Sequence, residues 1–171
     1  MSSTRVLALL ALAAAQLPAL AAGFSAGIEL REQATAADVG LPAYPGARPQ
    51  HKAGDRAEDK AALRLDLWGG AFGFRLVVAK FAADEELERV ASFYRAALAQ
   101  FGPVLDCSAP PAAAGAKPAD PTRLSCGDDR PGPGGLLYKA GTPQRQRVVS
   151  LQPVGAGSTH FQLVLVETKQ P

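Results

Sequence analysis

Nucleophilic catalysis near neutral pH needs a side chain that can take up a proton, and two histidines, His51 and His160, are the first candidates. His51 stands in a polar stretch ahead of strand-like sequence, and His160 opens the last strand-like run. Ser25, Ser92, Ser108, Ser125, Ser150 and Ser158 are the possible hydroxyl nucleophiles near them. None sits in a nucleophile elbow, since Gly157-Ser158 lacks the Gly-x-Ser-x-Gly frame. A hairpin can bring His160 towards Ser150 or Gln152, but the plainer reading of a lone strand-end histidine is a solvent-facing side chain, so no triad is assigned. Metal chemistry has no frame either: the histidines lie far apart and no His-x-x-x-His or Asp-x-Asp-x-Asp-Gly pattern occurs. Gly132, Gly134 and Gly135 alternate with prolines and no Gly-Lys-Ser or Gly-Lys-Thr follows, so neither a nucleotide nor any other cofactor is expected.

Carboxylate pairs are the catalytic reading left open, because their spacing in sequence is arbitrary. Asp66, Asp106 and Glu167 adjoin strand-like runs, where the plainer reading is an outward or strand-end charge. Binding chemistry points to Tyr44, between Pro42 and Pro45, and to Trp68, beside a Gly-Gly turn. Exposed aromatics of this kind serve ligand and partner surfaces, although the favoured reading is that the loop folds back and Tyr44 covers the open face of the sheet. With Arg75 and His160, these form the candidate binding set: Tyr44, Trp68, Arg75 and His160.

The elements that must position these side chains are legible in part. Leu63, Leu65 and Leu67 alternate with Arg64, Asp66 and Trp68; Gly69-Gly70 offers a two-residue turn; Phe72, Phe74, Leu76 and Val78 alternate again. This register predicts Leu67 opposite Phe72, Leu65 opposite Phe74 and Leu63 opposite Leu76, with Arg64 across from Arg75 and Asp66 on the diagonal. A helix is expected over 84–101, capped by Asp84, stopped by Gly102-Pro103 and burying Leu87, Val90, Ala91, Tyr94, Ala97, Leu98 and Phe101. A second hairpin runs over 145–153 and 159–168 through Gly155-Ala156-Gly157, pairing Leu151 with Phe161, Val149 with Leu163 and Val148 with Val164. Its return strand is apolar on both faces, which predicts a central position. Short strands over 104–107 and 136–139 complete the sheet, and 40–54, 109–121 and 127–135 read as loops.

The chain opens with Arg5, an apolar run over 6–15 and small residues at 19–22, the pattern of a cleaved secretory signal. The run is ~10 residues, short of the ~20 that a spanning helix needs. The formal charge of +2 falls by one when Arg5 leaves with the signal, so no long-range field steers the protein to nucleic acid or an anionic membrane. Arg145-Gln146-Arg147 is too short a cluster to change that. Cys107 and Cys126, the chain's two cysteines, are expected to form a structural disulfide in an oxidising compartment.

Leu41-Pro42-Ala43-Tyr44-Pro45-Gly46-Ala47, followed by a strand hairpin and a helix with Val90-x-x-Phe93-Tyr94-Arg95-x-x-Leu98, resembles a family of small exported bacterial domains with a P-x-YPGA loop and an FYR-x-x-L helix. The resemblance is best over 41–102. It implies a fold and a compartment and brings no activity to carry over. The expectation is a signal over 1–22 and one α+β domain over 23–171: a largely antiparallel sheet of two hairpins with one main amphipathic helix on one face. The functional expectation is a periplasmic or secreted, non-catalytic binding module for a small molecule or an envelope protein, without nucleic acid or stable membrane insertion. A small hydrolase or carbohydrate-active enzyme and an envelope structural or chaperone-like protein are the alternatives.

Overall fold

The structure, a computed structural model, describes residues 26–50, 60–109, 120 and 122–169. The signal expected over 1–22 and His51 lie outside the described residues. In chain order the elements are β1 (Ala26–Arg31), α1 (Ala36–Val39), β2 (Arg48–Pro49), β3 (Ala62–Gly69), β4 (Phe72–Ala83), α2 (Leu87–Leu98), β5 (Leu105–Asp106), β6 (Leu136–Thr142), β7 (Arg145–Pro153) and β8 (Thr159–Lys169). The strands form one 8-stranded antiparallel sheet in the order β1-β3-β4-β8-β7-β6-β5, with β2 pairing the end of β4. The class is α+β. The sheet is larger than two hairpins: β1 and β2 were not foreseen, and β4 pairs with β8 along its whole length.

The long strands follow from period-2 patterning. On β8, Phe161, Leu163 and Leu165 point to one face, and their neighbours across the register are Phe81, Ala79 and Val77 on β4 and Leu151, Val149 and Arg147 on β7. Val90, Ala91, Tyr94 and Leu98 of α2 are buried against this face. Fully burying a side chain such as Val90 or Leu98 contributes about 1.5–3 kcal/mol. The helix is shorter than expected, starting at Leu87 with Glu86 at its N-cap. Asp84 does not cap it; its carboxylate takes both Nη2 hydrogen bonds of Arg48 instead, at 3.0 and 2.8 Å. A 3-10 turn, Ala99–Phe101, finishes the helix before Gly102.

α1 is closed by a capping box: Thr35 N–H donates to the Asp38 carboxylate at 2.8 Å, and the Thr35 hydroxyl accepts from Asp38 N–H at 3.3 Å. Its last carbonyl acceptor, Val39 O, receives Arg147 Nε at 2.9 Å, and the same guanidinium stacks on the Phe101 ring at 3.6 Å. One buried Arg thereby ties α1, the 3-10 turn and β7 together.

Two registers test the sequence reading directly. In the β7–β8 pair Leu151 faces Phe161, Val149 faces Leu163 and Val148 faces Val164, as expected. In the β3–β4 pair the turn is Gly70-Ala71, so Leu67 faces Phe74, Leu65 faces Leu76 and Leu63 faces Val78. The register is displaced by two residues from the expected one. Gly70 alone takes positive φ, +57°, and Ala71 does not need it, as in a turn whose first central residue is Gly. Asp66 then lies directly opposite Arg75.

Candidate functional site

The two faces of the sheet differ in what covers them. On the helix side, beyond α1, a row of charges crosses the strands: Asp66, Arg75, Glu167 and Arg145 occupy adjacent register positions on β3, β4, β8 and β7. Asp66 accepts from Arg75 Nε at 2.6 Å and from Arg64 Nε at 2.7 Å, while Glu167 lies 3.5 Å from both Arg75 Nη1 and Arg145 Nε. Burial acts to raise the Asp66 pKa, but the bonds from Arg64 and Arg75 outweigh it and hold the carboxyl below the usual carboxylate range. Beside this row Trp68, Gly73, Phe74, Gln144 and Lys169 complete a cleft of about 660 Å³. The Trp68 indole lies across Gly27 of β1, where any Cβ would come within 2.1 Å of the ring.

Glycoside hydrolysis requires one carboxyl that keeps its proton and one that does not. The cleft's two acids are both engaged by guanidinium groups, and Arg64 and Arg75 hold Asp66 below the usual carboxylate range, which makes Asp66 a poor proton donor. Asp106, the third acid, is exposed on β5 and accepts from Ser108 N–H at 2.9 Å in a local turn. Burial pushes the Tyr94 phenol far above its ordinary range, and its hydroxyl has no hydrogen-bond partner among the described residues. No group of three potential metal ligands occurs among the described residues.

The opposite face of the sheet carries no described helix. Here the register builds rows across neighbouring strands: Ile28, Leu67 and Phe74, ending at Thr168; Leu30, Leu65, Leu76 and Val166, ending at Gln146; Leu63, Val78, Val164 and Val148. Further along the same strands the rows turn polar, through Lys80, Gln162 and Ser150 and then His160 and Gln152. His160 Nδ1 shares a 2.8 Å hydrogen bond with the Gln50 side-chain amide. Gln50, Lys80, Ser150, Gln152, His160 and Gln162 line a depression of about 270 Å³. Ile28 and Leu30, at 76% and 61% exposure, are the most exposed large hydrophobic residues described.

Among the described residues, cover on this face comes at the β6 end, from Ser125, Cys126 and Asp129 beside the disulfide. Cys107 and Cys126 are joined, with Cα atoms 5.5 Å apart. Lys139, 4% exposed, donates to the carbonyls of Ser125 and Cys126 at 3.3 and 3.4 Å and pairs with the Asp129 carboxylate.

Of the four candidate binding residues, Trp68 and Arg75 share the charged cleft, and the other two lie elsewhere. His160 belongs to the polar rows of the uncovered face. Tyr44 lies on the helix side, its ring 5.0 Å from Phe93 and 6.4 Å from Tyr94 and Phe161. It does not cover the open face of the sheet; it extends the core beneath α2. The apolar face itself was missed as a site, because the Leu63, Leu65 and Leu67 stripe reads naturally as core. Its signal was the two-sided apolar pattern of β8, which only one helix was available to cover.

No protein-family model, curated protein or solved structure matches this chain.

Proposed function

We propose that this chain is an exported, non-catalytic binding module that holds a single-chain amphiphile on the uncovered face of its sheet. The supporting observation is the graded character of that face, three apolar rows running along the strands into two hydrogen-bonding rows. An alkyl chain fits the rows of Leu65, Leu76, Val78 and Val164, and a polar head fits the amides and hydroxyl around His160 and Gln50. Contiguous exposed apolar surface on a folded domain marks an interaction site. The Cys107–Cys126 bridge supports the reading of an exported module, since such bridges persist in oxidising compartments.

The test is a titration of the mature chain with lauric acid and with monolauroylglycerol below their micellar concentrations, read by amide and methyl NMR. Saturable one-to-one binding is expected, with shifts on β3, β4 and β8, weakened roughly tenfold or more by Leu76→Asn through loss of apolar burial. Val148→Asn serves the same purpose if Leu76→Asn does not fold. Shifts confined to the Trp68 cleft, or the absence of saturable binding by both compounds, overturn the proposal. Capture of a reduced, unfolded polypeptide in place of either amphiphile also overturns it, in favour of a chaperone-like role.

A further inference from the structure

β1 is the last strand in the sheet order, and its outer row of N–H and C=O groups has no strand partner among the described residues. Exposed edges invite pairing, and proteins that stay monomeric usually blunt them with Lys, Pro or a bulge. Ala26–Arg31 contains no Lys or Pro and pairs with β3 without a bulge. It presents instead one acid and one base two residues apart on the same side, Glu29 and Arg31, bonded to each other at 2.7 Å with side chains 44% and 62% exposed.

We propose that two copies of this chain pair through β1, antiparallel, about a two-fold axis normal to the sheet at Leu30. That axis places Leu30 opposite Leu30 of the partner subunit. It also sets Glu29 opposite Arg31 of the partner subunit twice over, a self-complementary arrangement of the kind a closed two-fold interface requires. The neighbouring registers lack this match: an axis at Glu29 opposes two like charges, and an axis at Ile28 sets Glu29 against glycine. Pairing joins two sheets edge to edge, shields the flanks of Ile28 and Leu30, and continues the apolar face from one subunit to the next.

Analytical ultracentrifugation of the mature chain is expected to show a monomer–dimer equilibrium. Glu29→Arg and Arg31→Glu each set like charges opposite one another and raise the dimer dissociation constant roughly tenfold. The double variant, Glu29→Arg with Arg31→Glu, restores the dimer, and it carries the test if a single reversal fails to fold. Leu30→Cys crosslinks the dimer on mild oxidation, because opposed Cα atoms lie about 4.5–5.5 Å apart. Ile28→Cys does not, because its copy on the partner lies about 14 Å away along the strand. A chain monomeric at every concentration, a dimer indifferent to both reversals, or crosslinking through Ile28→Cys overturns the proposal. Each of these outcomes is independent of whether an amphiphile binds the face.

Discussion

Asp66 is the residue on which the helix-side charges converge. Its side chain is 13% exposed and serves Arg64 and Arg75 at once. Replacing it with Asn keeps the shape and removes the charge, leaving two guanidinium groups facing a neutral amide. Loss of hydrogen bonds to a charged group costs about 1.5–3 kcal/mol at neutral pH. Because the folded pKa is depressed, this contribution is fully present above the unfolded carboxyl's ordinary value of about 3.9 and is lost as pH falls through the lower, folded value. Urea denaturation of wild type and Asp66→Asn should therefore show a gap that is constant from pH 7 to about pH 5 and closes below about pH 4. A gap that persists undiminished into strong acid would refute the assignment. The sequence placed Asp66 near Arg75 but on its diagonal. Direct opposition came from the two-residue displacement of the turn.

That displacement shows what alternation can and cannot specify. A shift of two residues leaves every side chain on its own face, so the pattern around Gly69-Gly70 is equally good in either register, and Gly70 decides it through its positive φ. The β7–β8 register was legible because Gly155-Ala156-Gly157 forms the loop, closed by Val154 N–H donating to Ser158 O at 3.1 Å, and that loop sets Leu151, Val149 and Val148 opposite Phe161, Leu163 and Val164. Alternation also distinguishes two faces without saying which one a helix covers. α2 lies on the face of Val77 and Ala79, and the leucine stripe of β3 is left to the other side. The cysteine pair was legible from its even count together with the export expected of the chain, whereas the elements it holds were not. The bridge anchors the segment bearing Ser125, Cys126 and Asp129 over Leu137 and Lys139. Closing a loop of this length stabilises the fold by about 3 kcal/mol on the chain-entropy model. The double variant Cys107→Ser with Cys126→Ser should lose about that amount in denaturant midpoint multiplied by m-value, and reductant should then have no further effect. A loss below about 1 kcal/mol would mean that the segment is held by Lys139 and Asp129 without the bridge.

At the scale of the molecule, the sheet order predicts a gradient of local stability. β4 and β8 are each paired on both sides over nearly their whole length, and β8 packs beneath the helical layer through fully buried Leu163. β1 has one strand partner among the described residues, and β5 is two residues long. Opening an edge strand breaks one ladder and exposes few buried side chains, whereas opening β8 breaks two ladders and the core beneath α2. Amide exchange therefore separates the two classes. In dilute solution, with the chain monomeric, β8 and the centre of β4 should exchange only through global unfolding, while β1 exchanges by local opening several kcal/mol below that. Raising the concentration into the dimer range should slow exchange at the outward amides of β1 and leave β5 unchanged, since only β1 gains a neighbour. Protection on β1 equal to that on β8 in dilute solution would contradict the edge position from which both the gradient and the pairing are argued.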